Sequence, residues 1–321
     1  MSITKKTGIA LLTAILLTSC GTASSSPDDE SSSPDLEMIT VGMLQVSASA
    51  PIPYGVDQGI FEKHGLEVEI EYSQGGAAML PAIETGTYDI GVLNPLTVLI
   101  ANDQGLDMRM VSGISYAHPE GDDVSGIVVR KDSNISSFED LAGAQTAVNL
   151  IQTQWDLTLM GAVENQGGDP ASLNFLEIPF PDMAAQLEQG NIDAAYLPYP
   201  FLPAALENPD NELLGYPIQE SMPGMPMLVS TTSAQFTEEH PDTVRKFVEA
   251  LEEVMVETNA NESAIRELLP EFMGLPPEAA ENALLEDWSA EIREDHLETL
   301  GENAVRYGFI RQMPQNLYID E

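Results

Sequence analysis

Met79-Leu80-Pro81-Ala82-Ile83-Glu84-Thr85-Gly86-Thr87-Tyr88-Asp89-Ile90-Gly91 recurs 104 residues further on as Met183-Ala184-Ala185-Gln186-Leu187-Glu188-Gln189-Gly190-Asn191-Ile192-Asp193-Ala194-Ala195. Each copy reads as a short amphipathic helix, a glycine just past its last turn, and an aspartate leading into a strand of small apolar residues. An apolar strand precedes each copy, at residues 66–72 and 173–178, so each closes a strand-loop-helix-strand unit. Two such units predict two similar α/β lobes with a cleft between them, which is where a small molecule binds in such an architecture.

Working outward, a period-two apolar run gives a first strand at 38–44, followed by the Ser- and Pro-rich loop 45–53 and a helix over 54–64 that Gly65 stops. Strand 88–93 ends at Asn94-Pro95, a helix covers 96–104, and strands follow at 107–112 and 125–130. Ser136 is placed to cap a helix over 136–143, strand 145–149 opens the second lobe, and a helix runs over 153–165 to Gly167-Gly168. Residues 227–231 form a return strand, and helices are expected over 241–259, 262–272 and 277–288. The alternation predicts an α/β protein with mixed sheets flanked by helices. Residues 126–227 form an inserted second lobe, and residues 38–125 with 228–321 form the first. Crossings near 125–131 and 222–230 form a hinge.

A chain of 321 residues with 43% apolar content suits about two packed domains. Residues 1–19 read as a secretion leader: Lys5-Lys6 are its basic start and residues 8–17 its apolar stretch, too short for a permanent span. Leu17-Thr18-Ser19-Cys20 resembles the lipobox of bacterial lipoproteins, which makes Cys20 a lipidation site carrying palmitate. Cys20 is the single cysteine, so the mature chain has no internal disulfide. The Ser/Pro/acidic stretch of residues 20–37 is a disordered tether. The net charge is −40, and loss of both leader lysines takes it to about −42. Such a surface repels nucleic acid and anionic lipid headgroups. The acids are spread along the whole chain, as expected of a solvated surface.

Five stretches then match one family. They are Gly-Ile-Phe-Glu-Lys-His-Gly-Leu-Glu-Val-Glu at 59–69, Gly-Thr-Tyr-Asp-Ile-Gly at 86–91, Gly-Ile-Val-Val-Arg-Lys-Asp-Ser at 126–133, residues 138–149, and Pro-Phe-Pro-Asp-Met-Ala-Ala-Gln-Leu-Glu-Gln-Gly-Asn-Ile-Asp-Ala-Ala at 179–195. Over residues 38–260 the chain resembles the nitrate/sulfonate/taurine and thiamine-pyrimidine group of substrate-binding proteins of bacterial ABC importers. The resemblance implies a two-lobed type II periplasmic-binding-protein fold that closes on its ligand by hinge motion. It also implies an ABC permease as partner, a monomer anchored to the extracytoplasmic side of the membrane through Cys20, and no cofactor.

The family has no common ligand, so the binding chemistry is sought in the loops at the strand ends. In the first lobe these hold Gln45, Ser47, Ser49 and Tyr54, then Gly75 and Gly76, then Asn94 and Thr97. Glycine N–H groups at a helix start suit an oxyanion, and a tight turn is the competing reason for the same glycines. In the second lobe the matching places hold Asn149, Gln152, Thr153, Gln154 and Trp155, then Phe180 and Asp182, then Tyr196 and Tyr199. Trp155 is placed either to stack on a planar ligand or to fill the core. Asp89 and Asp193 are expected as local caps. None of the twelve Lys and Arg residues falls in these loops, so an anion depends on neutral donors, and a planar, uncharged or amine-bearing solute is favoured.

Two other functions compete. Fungal relatives of the fold make the thiamine pyrimidine with an active-site His and a cysteine-rich segment, but here the sole cysteine is the anchor. His64, His118, His240 and His296 all lie outside the cleft loops. A ligand-sensing domain for a membrane receptor is the other alternative. Met222, Met225 and Met227 are soft donors in principle, and packing beside the hinge strand is the expected reason for them.

Overall fold

The computed structural model describes residues 36–73 and 75–319. The leader, Cys20 and nearly all of the tether lie outside the described residues. In chain order the strands are β1 (Glu37–Met43), β2 (Leu66–Tyr72), β3 (Ile90–Leu93), β4 (Met108–Tyr116), β5 (Ser125–Arg130) and β6 (Gln145–Val148). They continue as β7 (Asn174–Glu177), β8 (Ala194–Pro198), β9 (Asn211–Gly215), β10 (Pro226–Ser233) and β11 (Asp287–Trp288). Two sheets result, ordered β11-β4-β10-β3-β1-β2 and β7-β6-β8-β5-β9.

The sheets share a plan. In the first, β1 lies between β2 and β3, all three parallel, and β10 runs antiparallel along β3. In the second, β6 lies between β7 and β8, all parallel, and β5 runs antiparallel along β8. The chain passes from the first sheet to the second between β4 and β5, and returns between β9 and β10.

The repeated stretch builds equivalent corners of both sheets. Helices Gly76–Glu84 and Phe180–Glu188 turn Met79 and Ile83, or Met183 and Leu187, into the core, the four-residue spacing that places two side chains on one helix face. Gly86 and Gly190 follow with φ of 69° and 70°, a left-handed conformation that glycine adopts without strain. The two aspartates then perform the same task. The Asp89 carboxylate accepts from the Thr40 N–H at 2.7 Å while the Asp89 N–H donates to the Thr40 carbonyl at 2.9 Å. Asp193 repeats both bonds with Gln145, at 2.8 and 2.9 Å. Each aspartate therefore ties the strand that follows it to the neighbouring parallel strand, a long-range bond across the sheet where a local cap or turn was expected.

Several elements depart from the expected ones. The helix over 54–64 is two helices, Pro51–Asp57 and Ile60–Lys63, separated where Gly59 turns left-handed at φ 68°. Residues 136–143 hold only one tight turn, Glu139–Leu141, because the Asp140 carboxylate collects the N–H and hydroxyl of Ser136 and the N–H of Ser137. Those bonds offer the backbone an alternative to a helix. The helix expected over 277–288 stops at Glu281; beyond it Ala283, Leu285 and Trp288 are buried and Trp288 pairs with Ser115 as part of β11. Helices Phe201–Leu206, Pro217–Ser221 and Glu294–Arg306 and strand β9 were not expected from the sequence.

Apolar clusters cover each sheet, and one joins the two halves. Leu157, Ile218, Met222 and Met225 pack with Leu96, Met110 and Leu297, so these methionines serve as core. No described helix is long and apolar enough to cross a membrane.

The aspartate clamps predict a specific cost. Asp89→Ala leaves the Thr40 N–H inside β1, and Asp193→Ala the Gln145 N–H at the start of β6, without a charged acceptor. Each should lower unfolding stability by about 1–3 kcal/mol, measured by urea denaturation, with Asp→Asn losing less.

Candidate functional site

Where the two sheets meet, buried polar side chains form a continuous series. The Ser47 hydroxyl, in the turn after β1, donates to Glu286 Oε1 at 2.9 Å. Asp123 lies in the β4–β5 crossing, and Ser125 opens β5. The Tyr196 hydroxyl, on β8 beside β5, lies 3.1 Å from the Thr158 hydroxyl. Gln154, at the start of helix Gln154–Asn165, directs its amide nitrogen to the Met227 sulfur on β10 at 3.7 Å. Asn94 donates to the Met227 carbonyl at 3.1 Å from the end of β3. Ser47, Asp123, Ser125, Gln154 and Glu286 are all at most 7% exposed.

Burial sets the protonation chemistry of this region. It pushes the Glu286 carboxyl up to about 7, the nearby Asp123 charge adds to the effect, and the Ser47 hydroxyl and a backbone N–H oppose it. Asp123 is also raised by burial, against the N–H groups of Val124 and His118, which donate to its Oδ1 at 2.8 and 3.4 Å. Tyr196 is pushed up chiefly by burial. Tyr116, at the end of β4, is raised to about 12 by burial, although the Arg293 guanidinium sits 3.8 Å from its ring centre. His118 is the cationisable side chain that acts on both Asp123 and Glu286. Several other cations pair elsewhere, as Lys63 with Glu253, Arg130 with Asp132 and Arg306 with Glu164.

Several buried oxygens in this series have no hydrogen-bond partner among the described residues: Ser115 Oγ, Asp123 Oδ2, Ser125 Oγ, Asn149 Oδ1, Gln154 Oε1 and Glu286 Oε2. Unpartnered buried polar atoms are costly, and their concentration at one place marks a site prepared for a bound molecule. A solvent-open groove of about 710 Å³ beside Arg109, Pro241, Arg245 and Tyr318 involves none of them. It lacks the buried polar atoms that would fix a ligand's orientation, so the polar series is the stronger candidate.

The residues singled out from the sequence are placed unevenly. Ser47 joins the series through Glu286, and Asn149 contributes its unpartnered oxygen. Trp155 is half-buried and stands edge-on to Tyr196 at 4.9 Å and to Phe180 at 5.8 Å, and Phe180 stacks on Phe201. Tyr196 itself is fully buried. The Tyr199 hydroxyl reaches across to the Ala279 carbonyl in helix Pro277–Glu281. Asn94 caps helix Pro95–Asp103 through the Leu96 N–H. Ser49 bonds the Leu44 and Val46 carbonyls of its own turn. Tyr54 is buried in its helix, while Gln45 is exposed and donates to the Phe272 carbonyl. Asp182 is exposed as well.

The two helix starts named as anion sites differ. Helix Gly76–Glu84 begins after Gly75 without a side-chain cap or an acid in its first turn. A β-carbon on Gly76 would stand 3.2 Å from Thr97 Oγ1, so glycine there keeps the helix start close to that hydroxyl. The start of Gln154–Asn165 is already occupied, because Asp156 accepts from the N–H groups of Gln152 and Thr153 at 2.8 and 2.7 Å, within a capping box with Thr153. That charge disfavours a second anion, which leaves the glycine start as the better oxyanion site. The sequence reading missed Ser115, Asp123, Ser125 and Glu286. For Asp123 and Ser125 the available signal was position, since both flank the expected crossing.

Glu286 gives a direct test. Its raised value means that its folding contribution is lost as pH rises from the usual glutamate range through about 7. Relative to the wild type, Glu286→Gln should gain little stability at pH 5 and roughly 1–3 kcal/mol at pH 8, read as a growing difference in melting temperature.

Comparison with known proteins agrees with this architecture. The family model described as NMT1/THI5 like matches residues 47–261. The taurine-binding periplasmic protein of Escherichia coli (strain K12) is 28% identical over 207 residues, covering 64% of this chain and 62% of that protein, so the match spans less than two thirds of the relative. The crystal structure of the periplasmic aliphatic sulphonate binding protein SsuA from Escherichia coli superposes with a TM-score of 0.72 at 17% identity, over 88% of this chain and 92% of that one. The periplasmic nitrate-binding protein NrtA from Synechocystis PCC 6803 gives a TM-score of 0.66 at 12% identity, over 87% and 83%. At these identities the two structures establish the shared periplasmic-binding-protein fold.

Proposed function

Because the chain belongs to the NMT1/THI5-like family, we propose that it is the solute-binding component of an ABC importer. It captures one small organic solute, of the sulfonate or pyrimidine type, where its two sheets meet, and delivers it to a membrane permease. The observation that carries this reading is the set of unpartnered buried oxygens contributed by both sheets and their crossing. Residues 38–125 with 228–321 act as one lobe and residues 126–227 as the other, swinging about the crossings on either side of β5 and β10. Contacts from both lobes make the solute favour the closed arrangement.

Within the site, the uncapped start of Gly76–Glu84 with Thr97 receives an oxyanion, and the Trp155–Phe180 edge borders the organic part of the solute. The protein is a monomeric binder without cofactor, held outside the cytoplasm by a lipid on Cys20. Binding, and not turnover, is the reading supported by a taurine-binding relative and by the lack of any cysteine besides Cys20.

Small-angle X-ray scattering and thermal unfolding test the reading together. Taurine, ethanesulfonate, nitrate and an aminopyrimidine are added in turn. One of them should shrink the radius of gyration and raise the melting temperature, by a stabilisation of roughly 2.7 kcal/mol when ligand stands at about 100 times Kd. No shift with any of the four would remove the proposal. Trp155→Ala should weaken the binding solute at least tenfold with the circular-dichroism spectrum retained, and an unchanged affinity would assign Trp155 to the core alone.

A further inference from the structure

The two passages of the chain between the sheets meet beside a pair of buried acids. Trp288 pairs with Ser115 and Asp287 with Tyr116, a register that sets Glu286 level with Ala117, the first residue of the β4–β5 crossing. The Ala117 N–H donates to the Met225 carbonyl at 2.9 Å, so the segment that leads into β10 is tied to the same point. Glu286 and Trp288 are buried and Asp287 between them is exposed, the alternation that puts residues two apart on one face of a strand. Glu286 is fastened within the first half, by Ser47. Asp123 is fastened within the crossing, by the N–H groups of Val124 and His118. The His118 ring bridges the two segments: its Nδ1 lies 2.8 Å from the Asp122 carbonyl and its Nε2 lies 3.9 Å from Asp287 Oδ1.

We propose that Glu286 and Asp123 form a proton-operated latch on the crossing. With Glu286 protonated, the crossing rests against the segment that leads into β11. When Glu286 gives its proton to solvent, two buried carboxylates on separately fastened segments repel, and the crossing moves away. The crossing carries β5 and with it the second sheet, so this movement changes the angle between the halves. Burial sets the direction, because a second negative charge among groups at most 7% exposed is strongly unfavourable. Neighbouring groups do not cancel it. The Asp287 charge disfavours ionisation of Asp123 as well, and His118 is the opposing charge on both acids. Tyr196 on β8 and Tyr216 after β9 are both raised by burial, the latter to about 12 with the Asp122 carboxylate accepting from its hydroxyl, so they stay neutral as Glu286 titrates. Arg293 is held over the Tyr116 ring. The latch is a property of the chain itself and goes beyond the solute-binding reading; only its consequence for capture, weaker binding at higher pH, rests on that reading.

The test uses the full chain without solute. Trp155→Phe leaves Trp288, two residues from Glu286, as the single tryptophan. Its fluorescence and the radius of gyration from X-ray scattering are followed from pH 5.5 to pH 9, with circular dichroism reporting on the fold. The emission should shift to the red and the radius of gyration should rise together, centred at about pH 7. Glu286→Gln should abolish both changes and His118→Gln should keep them. Asp123→Asn should move the emission change to lower pH, because the Asp123 charge helps to raise Glu286, and should shrink the change in radius. If Glu286→Gln fails to fold, the other two variants decide. The latch is overturned by a flat profile, by a transition that survives Glu286→Gln or vanishes with His118→Gln, or by an emission change without a change in radius. Loss of the circular-dichroism signal over the same interval would overturn it too, as unfolding in place of movement. Each of these results leaves the solute-binding reading intact, because no solute is present.

Discussion

The molecule depends on the way its chain passes twice between two sheets of the same plan. Each crossing strand, β5 or β10, lies antiparallel beside the parallel strand that ends the local repeat. That placement sets the ends of both parallel sets beside the connecting segments, so polar groups from both sheets and from the connection come into one place. The buried series from Ser47 through Glu286 to Tyr196 and Gln154 follows from it. The series draws on both sheets, since Ser47 and Glu286 adjoin β1 and β11 of the first while Tyr196 lies on β8 of the second.

The cost of that arrangement is visible in the acids. Burying a carboxyl without a partner is unfavourable, and Glu286 responds by holding its proton to about 7 while Asp123 moves the same way. Elsewhere the chain manages its acidity differently. Asp89, Asp193 and Asp140 place their charge on backbone N–H groups, where it ties two strands together or holds a turn. Asp123 combines both situations, since the N–H groups of Val124 and His118 hold its Oδ1 while its Oδ2 has no partner among the described residues.

This distinction also explains what could be read in advance. The repeat was legible because its signals are local: a four-residue apolar spacing, a left-handed glycine, an aspartate before a strand. The family and the fold followed from those, while the bonds from Asp89 and Asp193 to Thr40 and Gln145 are long-range and were not legible. Glu286 was not legible because the stretch 277–288 has helical spacing, and only its tertiary pairing with β4 draws out residues 287 and 288 as a strand. Asp123 was hidden in an acidic loop whose composition resembles any solvated surface. The break at Gly59 and the turn at Asp140 show the same limit in reverse, since a single backbone angle or carboxylate overrode a longer helical pattern.

Three hydrogen bonds reach beyond the site. Glu164 on the second half accepts from Arg306 at 2.9 Å and from the Tyr307 hydroxyl at 2.6 Å on the first, and Tyr199 meets Ala279 in the opposite direction. These bonds join the halves through side chains of the chain itself, away from the buried polar series. Because the Arg306–Glu164 pair is solvent-accessible, ionic strength weakens that contribution. The salt content of the surroundings thereby acts on the join between the halves through residues remote from the buried polar series.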